Sequence, residues 1–272
     1  MSVKGKVIIL TGTSRGIGLA IAHYLLKSAC NLVVVARSQK PLQELSDRYP
    51  GQVEVLAGDL ADASLGPKAV QMASSKWGKL DGLIVNHGVL APVKRISQAE
   101  VEEWRQAFDI NVFSAVSLVK AALPDLRSSK GRIIFCSSGA AIGAYSTWGA
   151  YGATKAVLNH MAMTLAVEEP DVITVSIRPG VVDTEMQREL REVHHESMDR
   201  KDAAKFAELK STGRLLRPEQ PGHVMAKLAL DAPREMSGKF LRYVIVTRRR
   251  SSMLIFVCCS WDDESLARFQ DA

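Results

Sequence analysis

Lys6-Val7-Ile8-Ile9-Leu10-Thr11-Gly12-Thr13-Ser14-Arg15-Gly16-Ile17-Gly18 decides how this chain folds. A short apolar run over 6–10 stops at a glycine-rich turn, and residues 17–28 then take up helical spacing. Glycines permit a tight turn and a close approach of the backbone to a pyrophosphate. The helix that follows offers unpaired N–H groups at the positive end of its dipole. The spacing is G-x-x-x-G-x-G, not the commoner G-x-G-x-x-G of dinucleotide-binding loops. Taken alone, it also fits a glycine-rich turn that binds nothing.

Working outward, strand and helix patterns alternate. Residues 31–36 carry the β-branched run Val33-Val34-Val35. Helical spacing follows over 42–49, 66–77, 99–123 and 151–168. Apolar strand candidates stand at 53–57, 82–86, 132–137 and 172–177, and a last one begins near Phe240. Strands alternating with helices of this length mean βαβ units and a parallel sheet, and near-continuous apolar strands mean a sheet covered on both faces. In such a sheet ligands bind beyond the carboxyl ends of the strands, so the residues just after each strand are the ones to inspect.

After the second strand stands Arg37. A site for NAD wants an acid near this point for the ribose hydroxyls, whereas NADP wants a cation for its 2′-phosphate. The acid is absent, and Arg15 and Arg37 offer the planar fork that suits phosphate. Asp59-Leu60 follows the third strand and Asn86-His87-Gly88 the fourth. Asp59 can equally cap a helix and Asn86 satisfy a turn.

Tyr151 and Lys155 lie four residues apart on a predicted helix and so share a face. A phenol of pKa ~10 shuttles protons poorly at neutral pH, and a nearby ammonium lowers it. A drop to about 7 asks ~4 kcal/mol of the surroundings, the expected sources being one lysine together with a cationic nicotinamide. Ser138 ends the preceding strand, where its hydroxyl can bond a substrate oxygen. Asn111, polar within an apolar helix, needs a partner; local satisfaction and a water relay are both open.

Composition narrows the class. The 272 residues are 47% apolar and 24% charged, which excludes disordered and fibrous chains. The formal net charge is +6, but Arg242, Arg248, Arg249 and Arg250 supply four of those charges within one short segment. Elsewhere both signs are interspersed, so nucleic acid is not an expected partner. No secretory signal opens the chain, and no run approaches the ~20 consecutive apolar residues of a membrane span. Cys30, Cys136, Cys258 and Cys259 lack metal spacing, which fits a reducing cytoplasm and no metal site.

The ordered set Thr11-Gly12-x-x-x-Gly16-Ile17-Gly18, Asp59, Asn86-x-Gly88, Asn111, Ser138, Tyr151-x-x-x-Lys155 and Pro179-Gly180 resembles the short-chain dehydrogenase/reductase family. The likeness runs from residue 5 to about 241 and resumes at Ser260. It implies a single Rossmann-type, doubly wound α/β domain over 1–272, with a seven-stranded parallel sheet. Tyr151 is then the general acid/base, Lys155 lowers its pKa and binds the nicotinamide ribose, Ser138 orients the substrate oxygen, and Asn111 holds a relay water. The implied cofactor is NADP(H), held by Gly12, Ser14, Arg15, Gly16, Ile17, Gly18, Arg37, Asp59, Leu60, Asn86, Gly88, Tyr151, Lys155, Pro179, Gly180, Val182 and Thr184. Thr184 bonds the carboxamide. His87 departs from the small residue usual between Asn and Gly.

Within the family the chain looks most like fungal sepiapterin-reductase-like and benzil-reductase-like members, on 14–20 and on Gly213-Arg214-Leu215-Leu216-Arg217-Pro218. That suggests a small ketone or vicinal diketone as substrate. A segment over 185–212 is expected to cover it, with Met186, Leu190, Met198 and Phe206; His194 and His195 read better as exposed helix residues. The family also implies a homodimer or homotetramer built on 99–123 and 151–169. A non-catalytic NADP-binding regulator and a sugar epimerase or dehydratase are the competing readings. The intact Asn111, Ser138, Tyr151 and Lys155 set speaks against the first, and the short substrate segment against the second.

One segment stands apart. Gly238-Lys239-Phe240-Leu241 and Ser260-Trp261-Asp262-Asp263, adjacent in relatives of this type, are separated here by 18 residues, 242–259. Arg242-Tyr243-Val244 is encodable as AGG-TAT-GTN, which contains a common fungal splice donor. Met253-Leu254-Ile255 can carry a branch site and Cys258-Cys259-Ser260 a pyrimidine-rich acceptor. A translated, unspliced intron is the expectation, and a genuine insertion forming a partner-binding hairpin is the alternative. Present in the protein, it is expected as a flexible, partly apolar loop that disturbs assembly and leaves the catalytic group in place.

Overall fold

A computed structural model describes residues 3–248 and 251–258. The chain runs β1 (Val7–Thr11), α1 (Gly16–Lys27), β2 (Asn31–Ala36), α2 (Gln39–Arg48), β3 (Val53–Ala57), α3 (Leu65–Trp77) and β4 (Gly82–Val85). It continues as α4 (Val101–Phe108), a π-helical turn (Asp109–Phe113), α5 (Ser114–Ser129), β5 (Arg132–Cys136), α6 (Gly149–Glu168) and β6 (Ile173–Arg178). The last part is α7 (Glu185–Glu192), α8 (Arg200–Ser211), α9 (Glu219–Asp231), β7 (Phe240–Arg248) and β8 (Ser251–Cys258).

The strands form one sheet in the order β3-β2-β1-β4-β5-β6-β7-β8. The first seven are parallel, as the family resemblance implies, and β8 joins β7 antiparallel. Strand order reverses between β1 and β4, which opens the crevice where α/β sheets bind ligands. The described parts of the segment, 242–248 and 251–258, are therefore strand and not the flexible loop expected, and Cys259 lies outside the described residues. Through Cys258 they extend β7 and fold back as β8, with Leu241 opposite Cys258 and Arg248 opposite Ser251.

Residue parity sorts the core into two layers. Ile8, Leu10, Leu32, Val34, Ile84 and Ile134 face α1, α2 and α9. Val7, Ile9, Val33, Val35, Leu83 and Phe135 face α3, α5 and α6. Alternating side chains of a strand point to opposite faces, so continuous apolar runs feed both layers at once.

Two elements depart from the sequence reading. Helix α9, which no periodicity argument had singled out, buries Val224, Met225, Leu228 and Ala229 in the first layer. The long region expected at 99–123 is helical from Val101 to Ser129, with the π turn joining α4 to α5. By length and composition that helix is apolar enough to cross a membrane. Here Ala115, Leu118, Val119, Ala122 and Leu126 pack against the sheet.

Candidate active site

At the carboxyl ends of β1, β4, β5 and β6 lies a cleft of about 260 Å³. The loop after β1 shapes one end. Gly12 and Gly16 adopt positive φ, +68° and +57°, which costs glycine nothing. A Cβ on Gly18 would fall 2.1 Å from the Gly12 carbonyl oxygen, so the loop closes on itself only with glycine there. Arg15 is extended, caps α1 with no side-chain bond, and leaves the first turn without an acid. The helix thus presents bare N–H groups to the cleft, a ready anion site. Asn86 holds this loop in place: its amide donates to the carbonyls of Thr11 and Gly12, both at 3.2 Å. These features fit a dinucleotide pyrophosphate.

Helix α6 presents the chemistry. Tyr151 and Lys155 are 8% and 3% exposed, and the Lys155 Nζ lies 5.7 Å from the Tyr151 ring centroid. Lys155 Nζ donates to the Cys136 carbonyl at 2.9 Å. A Cβ on Gly88 would sit 3.1 Å from that nitrogen and 3.3 Å from Asn111 Oδ1, so Gly88 keeps open the point where the two approach. Ser138 opens a 3₁₀ turn at the end of β5, its Oγ accepting from the Ala140 N–H at 3.1 Å. Gly152 lets α6 press on that turn; a Cβ there would meet the Ala140 oxygen at 2.8 Å.

In the protein without cofactor, burial dominates the electrostatics of this pair. Burial pushes the Tyr151 phenol above its ordinary range, with Cys136 adding to the rise and a hydrogen bond from Ser138 opposing it. Burial also lowers the Lys155 ammonium. Desolvation penalises both charged forms, and it is the largest cause at each residue. In the protein alone, the phenol is thus held in its protonated, proton-donating form.

Arg15, Gly16, Ile17, Asn86, Gly88, Ser138, Tyr151, Lys155, Pro179, Gly180, Val182 and Thr184 line this one cleft. Thr184 also caps α7, accepting from the Gln187 N–H at 3.4 Å. Gly12, Ser14 and Gly18 stand behind it in the same loop. Arg37 is exposed at the end of β2. Asp59 is exposed and accepts from the Ala61 N–H at 3.0 Å, so it caps a local turn and not α3. Leu60 belongs to the core layer under α3. Asn111 is 1% exposed; its Oδ1 accepts from Val89 N–H at 2.8 Å and its amide donates to the Val89 carbonyl and Thr154 Oγ1. Its side chain is thus bonded to the Val89 backbone and to Thr154.

His87 makes a buried bracket. Its Nδ1 is 2.7 Å from Thr11 Oγ1, and its Nε2 is 2.9 Å from the Ile110 carbonyl and 2.7 Å from Ser114 Oγ. A carbonyl only accepts, so Nε2 carries the proton and Nδ1 accepts from Thr11. Full burial and the Lys155 charge lower its pKa to about 3.

The substrate end is aromatic. Trp148 stacks on Phe206 of α8 at 5.6 Å and 10°, meets Tyr145 at 4.6 Å and Tyr151 edge-on at 6.0 Å. Leu90, Met186 and Leu190 complete the wall, and Met198 packs in the same cluster. His195 is exposed and His194 half-buried, neither on the cleft. The reading of residues had not picked out Tyr145, Trp148 or Arg178; a Trp three residues before Tyr151, on the same helical face, was the available signal for one of them. Among the described residues no His, Cys, Asp and Glu cluster could hold a metal.

Comparison with known proteins agrees with this geometry. The profile described as short chain dehydrogenase matches residues 6–195. The chain belongs to the short chain dehydrogenase family. A Saccharomyces cerevisiae protein named benzil reductase ((S)-benzoin forming) is 43% identical over 252 residues, covering 88% of this chain and 96% of that one. An uncharacterized oxidoreductase of the same yeast is 43% identical over 243 residues, with the same coverage. The crystal structure of a short chain dehydrogenase/reductase from Saccharomyces cerevisiae superposes with a TM-score of 0.88 at 39% identity, covering 98% of this chain and 100% of its own. This short chain dehydrogenase is thus an oxidoreductase of a family that uses nicotinamide dinucleotides and acts on small molecules.

Proposed function

We propose that the protein is an NADP(H)-dependent carbonyl reductase acting on a small ketone or vicinal diketone, with Tyr151 as general acid. The convergence of Tyr151, Lys155 and Ser138 on the cleft floored by the glycine loop carries this reading. Bound there, the reduced nicotinamide supplies the hydride. The chain's residues do the rest. The Gly12–Gly18 loop and the α1 N-terminus hold the pyrophosphate, Asn86 keeps that loop shaped, and Arg15 and Arg37 take the 2′-phosphate. Ser138 bonds the carbonyl oxygen, and Tyr151, kept protonated by burial, delivers its proton to that oxygen as charge develops. Lys155 holds the ribose and steadies the phenolate that is left. Asn111 braces the Val89 turn and the π turn, and a water relay through it belongs to the same proposal. The aromatic wall, under 185–212, excludes water. Cys30 and Cys136 are buried free thiols, in keeping with a cytoplasmic protein.

The test is consumption of NADPH and NADH against vicinal diketones, quinones and simple ketones. NADPH-dependent turnover of a diketone is expected. Preference for NADH would remove the Arg15/Arg37 argument, and cofactor binding without turnover of any carbonyl would favour a regulator.

A further inference from the structure

The cleft wall holds two donors with no acceptor among the described residues. Arg178, at the carboxyl end of β6, lines the cleft, is only partly exposed and enters no ion pair or hydrogen bond there. Its guanidinium lies flat over Gly139, the residue after Ser138. A Cβ on Gly139 would meet Arg178 Cζ and Nε at 2.5 Å and Nη2 at 2.6 Å, so the arginine occupies this place only because position 139 has no side chain. Trp148, 7% exposed in the same wall, leaves its buried Nε1 without a partner. A buried donor without an acceptor, as at Trp148, is uncommon in folded proteins and calls for an explanation, and the half-buried Arg178 faces the same cleft.

We propose that Arg178 is a specificity-determining residue: its guanidinium binds a second oxygen acceptor on the carbon next to the reacting carbonyl. The preferred substrates then bear a vicinal dicarbonyl or a 2-oxo carboxylate, and a simple ketone of the same size is a poor one. The proposal rests on the reductase reading. Ser138 and Tyr151 engage the oxygen that is reduced, and neither offers a donor to a neighbouring oxygen. Arginine's fork presents two parallel N–H groups to a carbonyl or carboxylate, and its position beside Ser138 puts them at the reacting end of the substrate. The aromatic wall accommodates an aryl or alkyl arm but distinguishes poorly between ketones that differ only in an added oxygen. A site built to hydrogen-bond that oxygen discriminates much better, because its own donors stay unpaired with the wrong substrate.

Steady-state kinetics with NADPH on three matched substrates test this: 1-phenylpropane-1,2-dione, phenylglyoxylate and propiophenone. The wild-type protein is compared with Arg178→Gln, with thermal melting and the NADPH dissociation constant as checks on folding and cofactor binding. The variant is expected to lose roughly 10- to 100-fold in kcat/KM on the dione, the keto acid or both, as for a lost charge-assisted hydrogen bond. Its activity on propiophenone and its affinity for NADPH stay as in the wild type. A larger loss on phenylglyoxylate identifies the carboxylate as the acceptor, and a larger loss on the dione identifies the neighbouring carbonyl. Equal losses on all three substrates, or none on any, overturn the role of Arg178 and leave the reductase reading standing. A wild-type protein that binds NADPH and reduces none of the three overturns both.

Discussion

At the scale of single residues, Tyr151 separates catalysis from cofactor binding. Tyr151→Phe keeps the ring that Trp148 meets edge-on and removes only the proton donor. A loss of about 10²–10⁴ in kcat, with NADPH binding intact by fluorescence titration, is expected for a general acid. Unchanged turnover would end that assignment. His87 makes a different, thermodynamic prediction. Its folded pKa, about 3, lies below the unfolded value of ~6.5. Between those values the unfolded chain binds more protons, so stability falls as pH drops through 6.5 toward 3. From neutral pH to pH 5 this amounts to about 2 kcal/mol, or ~4 °C in Tm for a chain of this size. His87→Gln removes the titrating group, so its Tm should fall by ~4 °C less than the wild type's over that range. Equal slopes in the two proteins would show that His87 does not titrate on unfolding.

Sequence legibility also differs by residue. Tyr151, Lys155, Ser138 and the glycines were readable because each is fixed by a local rule: a four-residue helical spacing, a strand end, a backbone angle or close approach that only glycine permits. Arg178 and Trp148 were not, because their meaning lies in what faces them across the fold. The upward shift of Tyr151 in the protein alone was not legible for a related reason. Spacing reports a neighbouring charge, but the depth of burial is set by Leu90, Leu190, Met198 and Phe206, far apart in the chain.

At the scale of elements, the parallel strands announced themselves through apolar runs, and α9 did not. Its buried residues alternate with Lys227, Glu219 and His223 too irregularly to make a stripe. The segment 242–259 shows the same limit. Strands β7 and β8 pair over eight positions, from Leu241 opposite Cys258 to Arg248 opposite Ser251. Only Phe240, Leu241 and Arg242 of β7 pair with β6. Removing 242–259 and joining Leu241 to Ser260 therefore keeps two of the three pairs that tie β7 to the parallel sheet and sets Ser260 in place of Arg242 at the third. It also removes an apolar edge strand, the kind of feature that invites association. The deletion is expected to keep kcat within about twofold, since the residues proposed to be catalytic lie elsewhere, and to reduce the aggregated fraction in size-exclusion chromatography. A deletion that no longer folds would make the segment a genuine structural insertion. Codons in the coding DNA incompatible with GT and AG ends would exclude an intron independently.

At the scale of the whole molecule, the expected oligomer is a matter of one surface. Helices α5 and α6, with the π turn that precedes α5, cover the sheet with one side. On the other they leave Phe113 58%, Val116 43%, Met163 49% and Val167 82% exposed. Between them runs a groove lined by Val116, Leu123, Val157 and Met163. Clustered exposed apolar side chains of this kind mark an association surface. A two-fold dimer there would bury the same patch from both copies, so each substitution counts twice. Met163→Glu with Val167→Glu places four carboxylates in such an interface, and each unpaired buried charge costs several kcal/mol. An assembly held in the nanomolar range, about 12 kcal/mol, would then dissociate at micromolar protein. Sedimentation velocity should show the wild type as dimer or tetramer and the double variant shifted to smaller species. Turnover per chain should persist, because the residues proposed to do the chemistry line one cleft within a single chain. An unshifted oligomer in the double variant would place the interface elsewhere on the molecule, and a monomeric wild type would leave the α5–α6 face without the partner its exposure calls for.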